Sequence, residues 1–200
     1  MVQVRVANTS DAEQILEIYA PYVTGSASTF ENEVPTVVEF QARIMKNLEA
    51  RPWLVCTLDN TVICYVYASG HRERAAYQWC CESSVYTKND FQGMGIGREL
   101  YKVLFQILKR QGYRNIYAGI TLPNEASIKL HEKCGFSHFA TYENIGYKLG
   151  EWKNVGWWRL SVNHYDRKPS PPLAFSEMQA LEFEELFKTA AAHISKKLVY

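Results

Sequence analysis

Between Cys80 and Ile120 the chain reads strand, glycine-rich turn, helix, strand, and this stretch restricts the fold most tightly. "WCCESSVYT" has the β-branched and aromatic content of a strand. "QGMGIG" interrupts it, and an amphipathic helix then runs from about Arg98 to Gly112 ahead of the strand "RNIYAGI". A strand, helix, strand succession is a crossover unit that lays its two strands parallel. The glycines at 93, 95 and 97 strip side chains from the backbone where the helix begins. A helix N-terminus carries unpaired N–H groups and partial positive charge, so the guest for so bare a turn is a phosphate or another anion.

The segments on either side are mostly antiparallel. "VQVRVA" alternates as a strand, and Ser10-Asp11-Ala12-Glu13 predicts a capping box for a helix with Ile15, Ile18, Tyr19 and Tyr22 on one face. Thr36 and Glu39 repeat that spacing ahead of "FQARIMKNL", after a polar loop, "TGSASTFENEVP", long enough to suggest a function. "WLVCTL" and "VICYVYA" flank Asp59-Asn60-Thr61 as a hairpin. Asn124 opens a helix that stops at Gly135, and "FSHFATYENIG" and "NVGWWRLSV" complete the sheet. The expected fold is α/β (α+β): a mixed, mostly antiparallel central sheet with helices on both faces. Residues 1–165 form the expected domain, and 166–200 a Pro-rich link with an appended amphipathic helix.

A chain of 200 residues that is 47% apolar can bury one full core. Its net charge of +1, with both signs mixed, shows no basic stripe, which argues against a nucleic-acid partner. Cys56, Cys64, Cys80, Cys81 and Cys134 are odd in number, lie mostly in apolar runs and lack C-x-x-C spacing. They read as reduced, buried thiols of a cytosolic protein with no metal site. No signal pattern opens the chain and no run is long enough for a membrane span, so no membrane association is expected and the cytoplasm is the default compartment.

Three phosphate-binding patterns can be set against Gly93, Gly95 and Gly97. A P-loop requires Gly-Lys-Ser/Thr, and the residues after Gly97 are Arg98 and Glu99. A dinucleotide fingerprint requires G-x-G-x-x-G early in an alternating α/β chain, whereas this G-x-G-x-G follows several antiparallel strands. Gln92-x-x-Gly95-x-Gly97 resembles instead the Q/R-x-x-G-x-G/A loop of the GNAT N-acetyltransferases. "NEASIKLHEKCGF" is similar to that family's second signature, with Asn124, Ser127, Gly135 and Phe136 in matching places. Where many members carry a tyrosine, this chain has His131. Together with "RPWLV", "AAYQW", "ESSVYT" and "GEWKNVGWW", that departure resembles the phosphinothricin N-acetyltransferase branch, from the first strand to about Val162.

The resemblance implies acetyl-coenzyme A (acetyl-CoA) as co-substrate. It also implies a small amine acceptor of the phosphinothricin, methionine sulfoximine or methionine sulfone type, and a homodimer. Cofactor contacts would come from Val85, Tyr86 and Thr87 on the strand, from Gln92, Gly93, Met94, Gly95, Ile96, Gly97 and Arg98 in the loop, and from Asn124 and Ser127. Phe30, Arg74 and Tyr77 would hold the acceptor, Arg being suited to a two-oxygen anion. Acetyl transfer to an amine needs a neutral amine and a proton for the leaving thiolate, and an α-ammonium with a pKa of about 8–10 must first lose its proton. From the strand alone, Glu82 reads as the partner of a surface Lys. The resemblance makes it the carboxylate that assists deprotonation. His131, seven residues beyond Asn124 and on the same helix face, is assigned proton transfer near the thiolate or the amine, in either direction. Arg74 on its own reads equally as a solvated loop charge. Trp79, Trp152, Trp157 and Trp158 read as core or interface residues. Two other functions stay open: acetylation of a protein N-terminus or lysine, and a non-catalytic coenzyme A sensor.

Overall fold

A computed structural model of the chain describes residues 1–198. The strands are β1 (Val2–Val6), β2 (Trp53–Leu58), β3 (Thr61–Gly70), β4 (Cys80–Thr87), β5 (Asn115–Leu122), β6 (Ser137–Lys148) and β7 (Glu151–Ser161). They form one sheet in the order β1-β2-β3-β4-β5-β7-β6. β4 and β5 are parallel, and every other neighbouring pair among the described residues is antiparallel. This is the mixed, mostly antiparallel sheet expected from the sequence.

Helices α1 (Ala12–Gly25) and α2 (Val37–Ala50) cover one face, where Ile15, Ile18, Tyr19, Phe40 and Ile44 pack on Trp53, Val55 and Tyr65. The other face carries α3 (Ile96–Gln111), α4 (Glu125–Lys133) and α5 (Glu184–Leu198). There Leu100, Leu104 and Ile107 of α3 enter a larger core with Cys64, Val66, Cys81 and Ile116. Alternation along β2 to β5 supplies both cores, because successive side chains leave the sheet on opposite faces.

Three local expectations are corrected. The first capping box joins Asn8 and Asp11 rather than Ser10 and Glu13, and a short 3₁₀ turn precedes α1. Asp11 is drawn there by Arg5 of β1, whose guanidinium donates to both carboxylate oxygens at 2.7 Å. α3 begins at Ile96, two residues early, because the left-handed Gly95 (φ 75°) serves as its N-cap and Gly97 already lies in the first turn. In the terminal segment, Phe175–Glu177 and Ala180–Phe183 are 3₁₀ turns, so the α-helix starts only at Glu184. The Thr36–Glu39 box forms as expected.

The segment after Asp166 packs into the main core through Phe175, Phe183, Ala190 and Ile194. Trp158 is buried, whereas Trp152 is 63% exposed on the β6–β7 hairpin. All five cysteines are free, and burial pushes the thiols of Cys56 and Cys64 up to about 12 and that of Cys134 to about 11, leaving them unreactive at neutral pH.

Candidate active site

The parallel pairing of β4 with β5 lasts for three residues, Cys80 with Asn115, Cys81 with Ile116 and Glu82 with Tyr117. Beyond Glu82, β4 stays bonded to β3 alone, so polar backbone groups on its other edge face an opening. That opening is a cleft of about 570 Å³, walled by β4 from Ser83 to Thr87, the loop and first turn of α3, β5 from Gly119, and α4. Val85, Tyr86 and Thr87 therefore lie along the cleft, as do Gln92, Gly93, Gly95, Ile96, Gly97, Arg98, Asn124 and Ser127. Met94, expected with them, is exposed and does not line it.

Glycine is required in the loop for two separate reasons. Gly93 and Gly95 have φ of 77° and 75°, in the left-handed region that side chains disfavour, and a Cβ on Gly93 would project into open space. At Gly97 a Cβ would stand 2.9 Å from Cγ2 of Val85, so the first turn of α3 could not lie this close to β4. The Gln92 amide does not face outward as a ligand. It donates to the Tyr22 hydroxyl at 2.9 Å, and that hydroxyl donates to the Thr87 carbonyl at 2.9 Å, tying the loop to α1 and β4. Arg98, Lys129 and Lys133 line the cleft without an ion-pair partner among the described residues, and Lys197 lines it while paired with Glu99 at 3.0 Å. Free N–H groups at a helix start, a backbone without side chains and four cations together suit a polyanionic ligand.

Asn124 caps α4, its side-chain oxygen accepting from the Ser127 N–H at 3.1 Å. Two turns on, His131 is buried at the inner end of the cleft. Its Nδ1 lies 2.8 Å from the Ser127 carbonyl, which can only accept, so Nδ1 carries the hydrogen. Nε2 then presents its lone pair, which accepts from the Tyr101 hydroxyl at 3.2 Å. Burial lowers the imidazole's pKa, and the Ser127 carbonyl only partly offsets this. His131 is thus a neutral imidazole at physiological pH. Tyr101, on the buried face of α3, has no counterpart in the sequence reading. It lies four residues after Gly97, one turn along the same face, but that spacing marks a core position equally well.

Glu82 leaves β4 on the opposite face. Cys81 and Val85 pack with α3, so Glu82, Ser84 and Tyr86 lie on the face of α1 and α2; Glu82 is the last β4 residue paired to β5 and does not itself line the cleft that His131 lines from the other face. Burial raises the Glu82 pKa, and a hydrogen bond from His71 Nδ1 at 2.8 Å opposes part of that rise. His71 stacks on Tyr117 at 4.5 Å, which fixes its ring. This His–Glu pair was missed in the sequence, where His71 sat in a polar loop next to Arg72. Its only signal is that β3 and β4 form a hairpin, which returns the loop's first residue to the level of Glu82.

None of the three residues expected to hold an acceptor, Phe30, Arg74 and Tyr77, lines the cleft. Phe30 packs directly against Gly146 of β6, leaving no room for a Cβ there, and Lys148 holds its loop by donating to the carbonyls of Thr29 and Glu31 at 2.7 and 2.8 Å. Arg74 and Tyr77 are exposed and line neither the cleft nor the second cavity, which lies between α2 and β2–β3.

Comparison with known proteins agrees with this geometry. The family described as acetyltransferase (GNAT) domain matches residues 4–157. The phosphinothricin N-acetyltransferase of Streptomyces viridochromogenes is 33% identical over 171 residues, 86% of this chain and 91% of the relative. The L-methionine sulfoximine/L-methionine sulfone acetyltransferase of Salmonella typhimurium is 29% identical over 81% of this chain and 95% of its own. Among solved structures, a GNAT-superfamily phosphinothricin acetyltransferase from Sinorhizobium meliloti in complex with acetyl-CoA superposes with a TM-score of 0.79 at 27% identity, covering 87% of this chain and 98% of that one. With its sheet opened beside a glycine-capped helix and residues 4–157 matched by the family, this chain belongs to the GNAT acetyltransferase family, on the phosphinothricin N-acetyltransferase branch.

Proposed function

We propose that this protein transfers the acetyl group of acetyl-CoA to the α-amine of a small amino-acid-like acceptor by direct attack in a ternary complex. The carrying observation is that the β4–β5 opening holds an anion cradle, while Glu82, a half-buried carboxylate, stands at the last β4 residue paired to β5, just before the strands part. The cradle suits coenzyme A: Gly93 leaves the backbone open, the first turn of α3 offers N–H groups, and the free edge of β4 can pair with an amide-bearing arm. When bound, acetyl-CoA supplies an activated thioester.

The chain's own residues do the rest. Glu82, as carboxylate, accepts a proton from the acceptor ammonium, and His71 steadies it in that state. Backbone N–H groups of β4 near Val85 polarise the thioester carbonyl. Tyr101 and His131 handle the proton at the sulfur end, His131 being neutral and Tyr101 bonded to it. In this reading Phe30, Arg74 and Tyr77 bind the acceptor's apolar and acidic parts.

The same reading includes a homodimer and a cytoplasmic location. The β6–β7 hairpin exposes Phe139, Ile145, Tyr147 and Trp152, each more than half open to solvent, as a patch that a second copy would cover. Five free thiols suit a reducing compartment. Residues 1–165 are taken as the family module and 166–200 as an extension, whose Phe175, Phe183, Ala190 and Ile194 pack into the main core. Assaying thiol release from acetyl-CoA against phosphinothricin, methionine sulfone and a panel of peptides and amines tests the activity. Turnover on peptides alone would replace the small-acceptor reading, and a monomer in sedimentation at micromolar concentration would remove the dimer.

A further inference from the structure

Of the four cations lining the cleft, Lys197 alone lies beyond the stretch matched by the family, which ends at residue 157. α5 docks through Ala190 and Ile194, both buried in the main core, and the next turn carries Lys197 over the N-terminus of α3. There its ammonium donates to Glu99 Oε1 at 3.0 Å and approaches the Gly95 carbonyl at 3.4 Å. A Cβ on Gly95 would lie 2.9 Å from that nitrogen, so the cation sits directly on the glycine turn.

Glu99 is the acidic residue of this first turn and would repel an incoming phosphate. Its side chain is nevertheless 5% exposed, held by Lys102 at 2.8 Å as well as by Lys197, with His193 3.5 Å away. The carboxylate is therefore neutralised in place. An ammonium has three N–H groups, and these two contacts leave one for the cleft that Lys197 lines.

We propose that Lys197 is a cofactor-binding residue: the C-terminal helix closes the cradle from above, and its lysine donates to the pyrophosphate of coenzyme A beside Gly95. This rests on the acetyl-CoA reading above. The pyrophosphate is chosen over the 3′-phosphate because the cation stands on the glycine turn and not at the outer rim.

Titration calorimetry of the full chain with coenzyme A and with 3′-dephospho-coenzyme A tests this, with turnover of S-acetylpantetheine, which lacks phosphates, as control. Lys197→Ala should raise Kd about tenfold for both nucleotides, the loss of one charge-assisted hydrogen bond. Lys197→Arg should retain most of the affinity, and S-acetylpantetheine turnover should match wild type in both variants. Unchanged or tighter coenzyme A binding by Lys197→Ala would overturn the proposal, tighter binding marking the lysine as a plug. A loss that vanishes with dephospho-coenzyme A would overturn the pyrophosphate assignment. An equal loss on S-acetylpantetheine would assign the residue to folding instead. Failure of the wild-type chain to bind coenzyme A is a separate result, because it removes the acetyl-CoA reading itself.

Discussion

His71 Nδ1 stands 2.8 Å from Oε1 of Glu82, and the imidazole is clamped flat on Tyr117. Glu82 serves as a base only when ionised, and burial works against that form while His71 supports it. Removing His71 therefore raises the Glu82 pKa further and moves the acid limb of the kcat/KM profile to higher pH. His71→Ala should cost roughly tenfold in kcat/KM at neutral pH, in line with a hydrogen bond to a charged group, and more as pH falls. In a Glu82→Gln background the same change should add little. An acid limb that stays where it was would show that His71 only packs.

Glu82→Gln should lower kcat/KM by about 10²–10⁴-fold at neutral pH and recover part of the loss at high pH, where the acceptor amine is already neutral. A uniform loss of a few-fold across the profile would mean that the carboxylate only positions the acceptor.

His131 offers a different comparison. His131→Tyr restores the hydroxyl that many family members carry and should retain more kcat than His131→Ala, measured at saturating acetyl-CoA. Equal losses would show that the neutral imidazole orients Tyr101 or the acceptor and passes no proton to sulfur.

Gly95→Val places a β-branched side chain at φ 75° and against Lys197. The protein should remain folded but melt at lower temperature, since forcing a non-glycine residue into this region costs roughly 1–3 kcal/mol. Coenzyme A affinity by calorimetry should fall more than tenfold, because the valine fills the approach to the backbone.

Glu99 predicts a pH dependence of stability. Although burial opposes ionisation, hydrogen bonds from Lys102 and Lys197 hold its pKa at about 2, below the ordinary 4.5. A carboxyl whose pKa is depressed on folding stabilises the protein above its unfolded value, and that contribution disappears as pH falls from about 4.5 toward 2. The gap in urea midpoint between wild type and Glu99→Gln should be widest near neutrality and close across that interval. A gap independent of pH would mean that charge plays no part.

Much of this protein was legible in its amino-acid order, because the informative signals were local. Alternation located the strands, the Thr36–Glu39 box and Gly112 bounded helices, and the bare turn from Gly93 to Gly97 announced a backbone that something must approach. Those features depend on dihedral preference and on spacing along a single element. The contacts that finish the site depend on elements far apart in the chain meeting in space. Lys197 reaches Gly95 across 102 positions because α5 docks on the core, and Tyr101 meets His131 across 30 because α3 and α4 share a face of the sheet. That Glu82 and His131 come from opposite sides of β4 was likewise decided by packing, since alternation shows that neighbouring side chains diverge but not which helices wait on each side.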